Sequence, residues 1–436
     1  MSRRLDEALA HARDTRACVI GEGVLAEVPA IITEQFPGTG AAVVVADPRT
    51  WQAAGAQVAA LLRAPHVLLE DDGLYAEMRY VDRVAAALAR HPDAVPVAVG
   101  SGTINDLVKL AAHRLHRPYA VVATAASMDG YSAYGASIAD QGAKQTFACP
   151  APRAIVADLA VLRRAPQDMT ASGYADLFSK IVAGADWMLA DALGVEAIDA
   201  RAWHIVQDGL PAALGDPAAV REGRGDALHD FVEGLMLGGF AMQALQSSRP
   251  ASGAEHQFSH LWDMEHHTVG GRAPSHGFKV GVATHFIAGV YERLLAVPLD
   301  RLDTAACCAA WPTWPEAEAR ARRLYAGTPF PELGVVETRA KHIDRDALAA
   351  QLERLKRVWP ELKVRLAAQL LPASEVARRL RLAGAPVEPE EIGISRERMT
   401  ASVLKAQHIR RRFTVLDLVL RTHALPIFGD DNKGAE

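Results

Sequence analysis

Three residues far apart in the sequence, Asp176, His256 and His276, combine one carboxylate with two imidazoles. Asp176 and His276 both lie in runs with helical spacing. Ser252 and Glu255 precede His256 with a spacing that resembles a capping box, which predicts that the histidine projects from the first turns of a helix. Such a set would bind one divalent metal and leave a position open for a substrate oxygen. The metal could be zinc, iron or nickel.

Two glycine pairs compete as the binding site for cofactor phosphates. Gly21-Glu22-Gly23 follows the first predicted strand, and Asp47 ends the next predicted strand, where an acid can bind an adenosine ribose. Gly100-Ser101-Gly102 follows a later strand and precedes a helical run, so its backbone amides could approach a pyrophosphate. From the residues alone, either pair could equally be a simple turn. An acid at Asp47 favours NAD(H) over NADP(H), although Arg49 nearby weakens that preference.

Four segments taken in order carry a more specific pattern than any one of them. They are Val99–Asp106, Ala123–Tyr131, Ala154–Asp158 leading to Ala175–Lys180, and Glu255-His256 with His276-Gly277. Together they resemble the glycerol-1-phosphate dehydrogenases, within the group of iron-containing alcohol dehydrogenases and dehydroquinate synthases. The resemblance covers roughly residues 20 to 290, and Ile409–Asp417 resembles the bacterial branch.

The resemblance implies a role for individual residues. The metal ligands would be Asp176, His256 and His276, which with Asp129 form the catalytic set. It favours the second glycine pair for the pyrophosphate, and the cofactor-binding residues would be Asp47, Gly100, Ser101, Gly102, Thr103, Asp106, Thr124, Ser127 and Asp129. The substrate-binding residues would be Asp129, Lys144 and Lys180. His260 is added from its spacing, because it follows His256 by four residues, shares its helix face and could hydrogen-bond the substrate. One departure concerns the cofactor loop: related enzymes often carry a serine four residues after the aspartate, whereas here Ser132 is followed by Ala133.

Composition agrees with an enzyme of this kind. With 436 residues, half of them hydrophobic, the chain can bury a large core and form two domains. A net charge of -5 gives no reason to expect nucleic acid or an anionic membrane as a partner. The four cysteines lack metal-ligand spacing and are too few for a disulfide framework. No signal peptide or bilayer-spanning run is recognisable, so we expect a cytoplasmic protein.

The order of predicted elements indicates an α/β fold. Short apolar runs alternate with helical spacing in the first third of the chain, which predicts a parallel sheet covered by helices. From about Pro166 the pattern is helical, including the continuous runs Asp176–Leu193 and Met399–Leu420. We therefore predict an NAD-binding α/β domain over residues 1–165 and an all-α metal- and substrate-binding domain over 166–436, as in dehydroquinate synthase-like proteins. We also expect a homo-oligomer, a dimer or larger.

The leading functional hypothesis is a metal-dependent dehydrogenase that reduces dihydroxyacetone phosphate to sn-glycerol 1-phosphate with NADH. One alternative is a dehydrogenase of another small polyol or phosphorylated ketone. A second is an NAD-recycling cyclase of the dehydroquinate synthase type, although such enzymes are expected to carry glutamate where this chain has Asp176. A non-catalytic binding protein is a third alternative.

Overall fold

The computed structural model describes residues 2–71, 73–140 and 143–426. Its backbone forms two compact units. Unit 1 contains residues 1–177, 201–251 and 382–385, and unit 2 contains residues 178–200, 252–381 and 386–436. Each unit thus gathers segments that are separate in the sequence. The division into domains of residues 1–165 and 166–436 stays a prediction.

Unit 1 is built on a six-stranded parallel sheet, as the alternating pattern predicted. Its strands are β1 (Ala17–Gly21), β2 (Ala41–Ala46), β3 (His66–Leu68), β4 (Ala94–Gly100), β5 (Ala120–Ala123) and β8 (Ala154–Asp158). Their order across the sheet is β1-β8-β5-β4-β2-β3. β4 and β8 are buried along their whole length, which explains their uninterrupted apolar sequences.

A short antiparallel hairpin, β6 (Ala136–Asp140) and β7 (Ala143–Phe147), lies in the chain between β5 and β8. Neither this hairpin nor the three-residue strand β3 was predicted from the sequence. The backbone of Lys144 pairs with Ala139 in the hairpin. The Lys144 side chain lies outside the described part of the structure.

The helices of unit 1 pack around the sheet and its connecting loops. The α-helices are Arg3–Ala10, Val28–Gln35, Pro48–Thr50, Ala56–Leu62, Met78–Ala89, Gly102–Arg114, Leu159–Leu162, Gln167–Phe178, Ala200–Gln207, Leu210–Ala213, Pro217–Arg221 and Gly225–Leu245. A π-helical turn, Trp51–Gly55, and two 3-10 turns, Val24–Glu27 and Arg249–Ala251, complete the list.

Unit 2 is helical in its described residues. Its α-helices are Lys180–Ala192, Ala254–Met264, His276–Ala296, Thr304–Ala310, Trp314–Tyr325, Pro331–Lys341, Arg345–Gln369, Ala373–Ala383, Arg396–His408 and Val415–Thr422, with 3-10 turns at Leu299–Arg301 and Pro389–Ile392. One hydrophobic core joins most of them, and Trp262 and Trp359 are among its largest buried side chains. Trp262 also donates its indole N–H to Ser402 Oγ at 3.0 Å, so the core has a satisfied polar contact.

Two predicted helices are each divided into two. The run Asp176–Leu193 breaks at Ser179, between a helix that ends at Phe178 and one that begins at Lys180. Ser179 itself keeps a right-handed helical backbone, with a φ of -59° and a ψ of -22°. The run Met399–Leu420 is interrupted between His408 and Val415, where Thr414 and Asp417 form the capping box of the second helix.

No helix in the described residues is long and apolar enough to cross a lipid bilayer.

Candidate cofactor and metal site

The carboxyl ends of β2, β4 and β5 lie side by side and carry most of the predicted cofactor-binding residues. β4 pairs with β2 on one side and with β5 on the other. Asp47 follows β2, the Gly100-Ser101-Gly102 turn joins β4 to the next helix, and Thr124 follows β5. From β2 the chain runs outward to β3 and then returns to β4 on the other side. The β2–β4 junction is therefore the topological switch point, where open α/β sheets bind nucleotides.

The turn after β4 brings the backbone close to its neighbours. A Cβ on Gly100 would meet the Cβ of Ile104 at 2.5 Å, and one on Gly102 would meet the Met128 side chain at 3.2 Å. Ser101 is the N-cap residue of the helix Gly102–Arg114, and its side chain makes no capping hydrogen bond. A helix N-terminus reached through small residues suits a pyrophosphate.

The first glycine pair has a different role. Gly23 has a φ of +71° and donates its backbone N–H to Asp158 Oδ1 at 3.2 Å. Leu25 donates its backbone N–H to Asp158 Oδ2 at 3.0 Å. The carboxylate at the end of β8 thus engages the backbone amides of this turn. These contacts give the first glycine pair a structural role within the protein, while the assignment of the cofactor phosphates stays a prediction.

Asp47 caps the helix Pro48–Thr50. Its Oδ1 accepts hydrogen bonds from the backbone N–H groups of Arg49, at 2.8 Å, and Thr50, at 3.0 Å. The aspartate is half-buried, whereas Arg49 is exposed. The cap fixes the carboxylate at the end of β2.

Asp106 is engaged by the protein itself. Its carboxylate accepts the backbone N–H of Ser137 at 3.2 Å and lies 3.8 Å from the Lys109 ammonium. Lys109 in turn donates to the carbonyl oxygens of Gly130, Ala133 and Gly135 at 2.9–3.1 Å. These contacts fasten the loop after β5 to the helix that begins at Gly102. Thr103, on the first turn of that helix, is half-buried.

The loop after β5 holds Thr124, Ser127 and Asp129. Thr124 is buried and donates its backbone N–H to the carbonyl of Gly100 at 3.1 Å, while Ser127 and Asp129 are half-buried. Two helices approach this loop through glycine: a Cβ on Gly173 would lie 2.0 Å from the carbonyl oxygen of Ala126, and one on Gly239 would lie 2.0 Å from Ser132 Oγ. Ser132 donates that hydroxyl to the carbonyl of Met236 at 2.7 Å, so it anchors the loop.

The predicted metal ligands are brought together. Asp176, His256 and His276 each offer one ligand atom, and these atoms all lie within 4.8 Å of one another. Asp176 is fully buried near the end of the helix Gln167–Phe178, and its Oδ2 accepts the backbone N–H of Asp129 at 3.2 Å. The donor set of one carboxylate and two imidazoles fits a divalent metal.

Both histidines are oriented through their Nδ1 atoms. His256 Nδ1 lies 2.8 Å from Glu255 Oε1, and His276 Nδ1 lies 3.1 Å from Ser259 Oγ. Such contacts fix the ring orientation of metal-binding histidines. His260 lies on the same helix as His256, with ring centroids 6.1 Å from His256 and 5.9 Å from His276.

The expected capping box at this helix is wrong. Gly253, not Ser252, is the N-cap of the helix Ala254–Met264. Because glycine has no side chain, two buried acids can lie close to the backbone at Gly253. A Cβ on Gly253 would lie 2.6 Å from Asp186 Oδ2 and 2.8 Å from Glu255 Oε2. Burial, followed by the nearby charge of Glu255, raises the pKa of Asp186 to about 7. Glu255 and His256 are neighbours in the sequence, and this adjacency is the sequence signal that the acid can orient the histidine. The interpretation of Glu255 as part of a capping box concealed that signal.

Lys180, predicted to bind substrate, is fully buried at the start of the helix Lys180–Ala192.

Comparison with known proteins identifies the family of the chain. Residues 19–166 match the family model described as iron-containing alcohol dehydrogenase. The glycerol-1-phosphate dehydrogenase [NAD(P)+] of Halalkalibacterium halodurans is 34% identical over 257 residues, which cover 57% of this chain and 64% of that protein. The enzyme of the same name from Geobacillus thermodenitrificans is 30% identical over 384 residues, covering 86% of this chain and 85% of that protein.

The fold is also found among solved structures. A probable glycerol dehydrogenase from Sinorhizobium meliloti 1021 superposes with a TM-score of 0.59 at 16% identity, covering 97% of this chain and 98% of that one. The similarity confirms the predicted α/β fold class. By the extent and identity of the Geobacillus alignment, the chain belongs to the glycerol-1-phosphate dehydrogenase family, within the iron-containing alcohol dehydrogenases.

Proposed function

We propose that this protein is a metal-dependent, NAD(P)-linked dehydrogenase that interconverts dihydroxyacetone phosphate and sn-glycerol 1-phosphate. The observation that carries the proposal is the convergence of Asp176, His256 and His276 in a chain of this family. When bound, NAD(P)H would supply the hydride for the ketone carbon in the reducing direction, and the ketone oxygen would gain a proton. The cofactor supplies the redox chemistry, so the protein's part is binding, orientation and electrostatics.

The cofactor lies, in this proposal, across the switch point of the sheet. Gly100, Ser101, Gly102 and Thr103 receive the pyrophosphate, and Asp47 accepts hydrogen bonds from the adenosine ribose. Both capping contacts of Asp47 fall on Oδ1, and Oδ2 is the atom that we assign to the ribose. A 2'-phosphate would meet the negative charge of this carboxylate, so we infer a preference for NAD(H) over NADP(H).

Asp176, His256 and His276 are the proposed metal ligands, and a divalent metal held there would polarise the ketone oxygen of the substrate. Glu255 and Ser259 hold the Nδ1 atoms, so Nε2 is the ligand atom of each histidine. The backbone amide of Asp129 donates to the Asp176 carboxylate and keeps it in position. Zinc, nickel and iron suit this donor set.

We place the substrate beside Asp129, with His260 hydrogen-bonding one of its hydroxyl groups. The phosphate is assigned to Lys180 and Lys144, because a phosphate requires positive charge and hydrogen-bond donors. Asp106 and Thr124 are further proposed cofactor-binding residues: the Asp106 carboxylate also accepts the backbone N–H of Ser137 in β6, and Thr124 donates its backbone N–H to Gly100. We further propose a homo-oligomer in the cytoplasm with no nucleic-acid partner.

The decisive test compares dihydroxyacetone phosphate with dihydroxyacetone in an NADH-oxidation assay, with zinc, nickel or iron supplied. We expect a strong preference for the phosphorylated ketone, since each lost charge-assisted hydrogen bond costs about ten- to a hundred-fold in affinity. Lys180→Met should raise KM for that substrate without changing KM for NADH. Equal activity on both ketones would instead assign the protein to dehydrogenases of unphosphorylated polyols.

A further inference from the structure

A cavity of about 100 Å³ lies within unit 2, among side chains that the proposed reaction does not use. A single buried water needs only about 10–15 Å³, so a small molecule or ion can be accommodated. The polar residues in the lining include Arg320, Lys341, Gln407, His408, Asp417 and Arg421.

The single carboxylate in this lining already has partners. Asp417 lies 2.8 Å from the Lys341 ammonium. It also accepts hydrogen bonds from the Gln407 side-chain amide at 2.7 Å and from the backbone N–H of Thr414 at 2.9 Å. Asp417 therefore forms its ion pair with Lys341, and its charge acts on the Arg421 guanidinium without a direct ion pair between the two.

Arg421 is a buried cation without a carboxylate of its own. Only 5% of the residue is exposed. Its guanidinium donates to two neutral oxygens, the side-chain carbonyl of Gln351 and, at 2.7 Å, the backbone carbonyl of Lys341. These bonds use two of its five N–H groups. Among the described residues, none forms an ion pair with Arg421, and a buried charge in this state is costly.

Two further features of the cavity indicate the kind of ligand. Gln407 is 4% exposed, and its Oε1 has no hydrogen-bond partner among the described residues. This oxygen can accept a hydrogen bond from a hydroxyl group. His408 also lines the cavity, and burial, followed by the charges of Lys341 and Arg320, lowers its pKa to about 3.

We propose that this cavity binds a small oxyanion that also carries a hydroxyl group, such as hydrogen phosphate or a 2-hydroxy carboxylate. The anionic oxygens accept hydrogen bonds from the Arg421 guanidinium, whose planar donors match two oxygens at once. The hydroxyl group donates to Gln407 Oε1. The site is independent of the proposed metal ligands and of Lys180.

Isothermal titration calorimetry on the full-length, metal-loaded protein tests the site, with inorganic phosphate and glycolate as separate probes. Arg421→Met should weaken the binding of at least one probe by about ten- to a hundred-fold, the value of a charge-assisted hydrogen bond. Phosphate binding alone would assign a phosphate ligand, and glycolate binding alone would assign a hydroxy carboxylate.

Arg421 also lies over the rings of Phe413, at 5.0 Å, and Trp311, at 5.9 Å, so its replacement can impair folding. Ala310→Phe provides a second variant, because Ala310 is an exposed lining residue at the end of the helix Thr304–Ala310. The larger side chain should block the cavity and abolish binding without altering its charges.

Lys180→Met is the matched control, since phosphate can also bind at the proposed substrate site. Cavity binding should persist in this variant, even if dihydroxyacetone phosphate proves not to be a substrate. The proposal is overturned if neither probe binds at millimolar concentration, or if binding survives Ala310→Phe and disappears in Lys180→Met.

Discussion

Glu255 Oε1 lies 2.8 Å from Nδ1 of His256, the next residue in the chain, and both side chains are buried. A carboxylate can only accept here, so the histidine donates its Nδ1–H. The same oxygen accepts the backbone N–H of Gly253 at 2.7 Å, which prevents the carboxylate from rotating away. The contact therefore fixes both the tautomer and the direction of the imidazole.

Glu255→Gln should weaken metal binding by about 10- to 100-fold, the usual effect of losing a partner that orients a metal ligand. Competition with a metal chelator measures this directly, without an activity assay. Glu265→Gln is the matched control, because that carboxylate ends the same helix and pairs instead with Arg398 and Lys405. Equal metal affinity in Glu255→Gln and the wild type would show that Glu255 does not position His256 for metal binding.

His256→Ala and His276→Ala should each lose bound metal, because only one imidazole and one carboxylate would remain. His260→Ala should retain it, since this neighbouring histidine is outside the group of converging ligand atoms. Elemental analysis of the purified variants gives the metal content, and circular dichroism checks that each is folded. A full complement of metal in His276→Ala would refute the ligand set.

Asp47→Ser should reduce the preference for NADH over NADPH by about ten-fold or more, because it removes a charged hydrogen-bond acceptor. Serine is also a good N-cap residue, so the helix Pro48–Thr50 keeps its cap and only the charge is lost. The ratio of kcat/KM for the two cofactors is the measurement. If that ratio does not change, the adenosine ribose binds elsewhere.

Gly173→Ala should weaken NADH binding and destabilise the protein, since the new Cβ would lie 2.0 Å from the Ala126 carbonyl oxygen and displace the loop that carries Ser127. Gly225→Ala is the control: no atom lies within 4 Å of the added Cβ. Fluorescence titration with NADH and thermal unfolding test both variants. Similar NADH affinity and similar thermal stability of the two variants would show that the loop tolerates displacement.

The buried imidazole of His408 should make the protein less stable in acid. Burial lowers its folded-state pKa from 6.5 to about 3. Below pH 6.5 the histidine is therefore protonated in the unfolded chain but stays neutral in the folded protein. The free energy of unfolding should therefore decrease by about 1.4 kcal/mol per pH unit in this window from this group alone.

His408→Asn should remove that contribution, because asparagine does not titrate. Urea unfolding of both proteins between about pH 7 and pH 4, a range that covers most of the interval between the unfolded and folded pKa values of His408, measures the difference. A stability difference between wild type and variant that stays constant with pH would contradict the prediction.

The sequence alone determined the α/β class, most strands of the parallel sheet and the three metal-ligand candidates. Apolar runs such as Val95–Val99 are local signals of buried parallel strands, and the order of motifs carried the family resemblance. The helix break at Ser179 escaped detection because the residues on both sides, Phe178 and Lys180, continue a helical pattern.

Only the tertiary structure revealed that Asp158 engages the first glycine pair, because this aspartate lies 135 residues from Gly23 and reaches it through the pairing of β1 with β8. The same holds for the convergence of Asp176 with His256 and His276. Spacing along a chain reports which residues share an element. Contacts between elements depend on how the whole chain packs, which no local pattern contains.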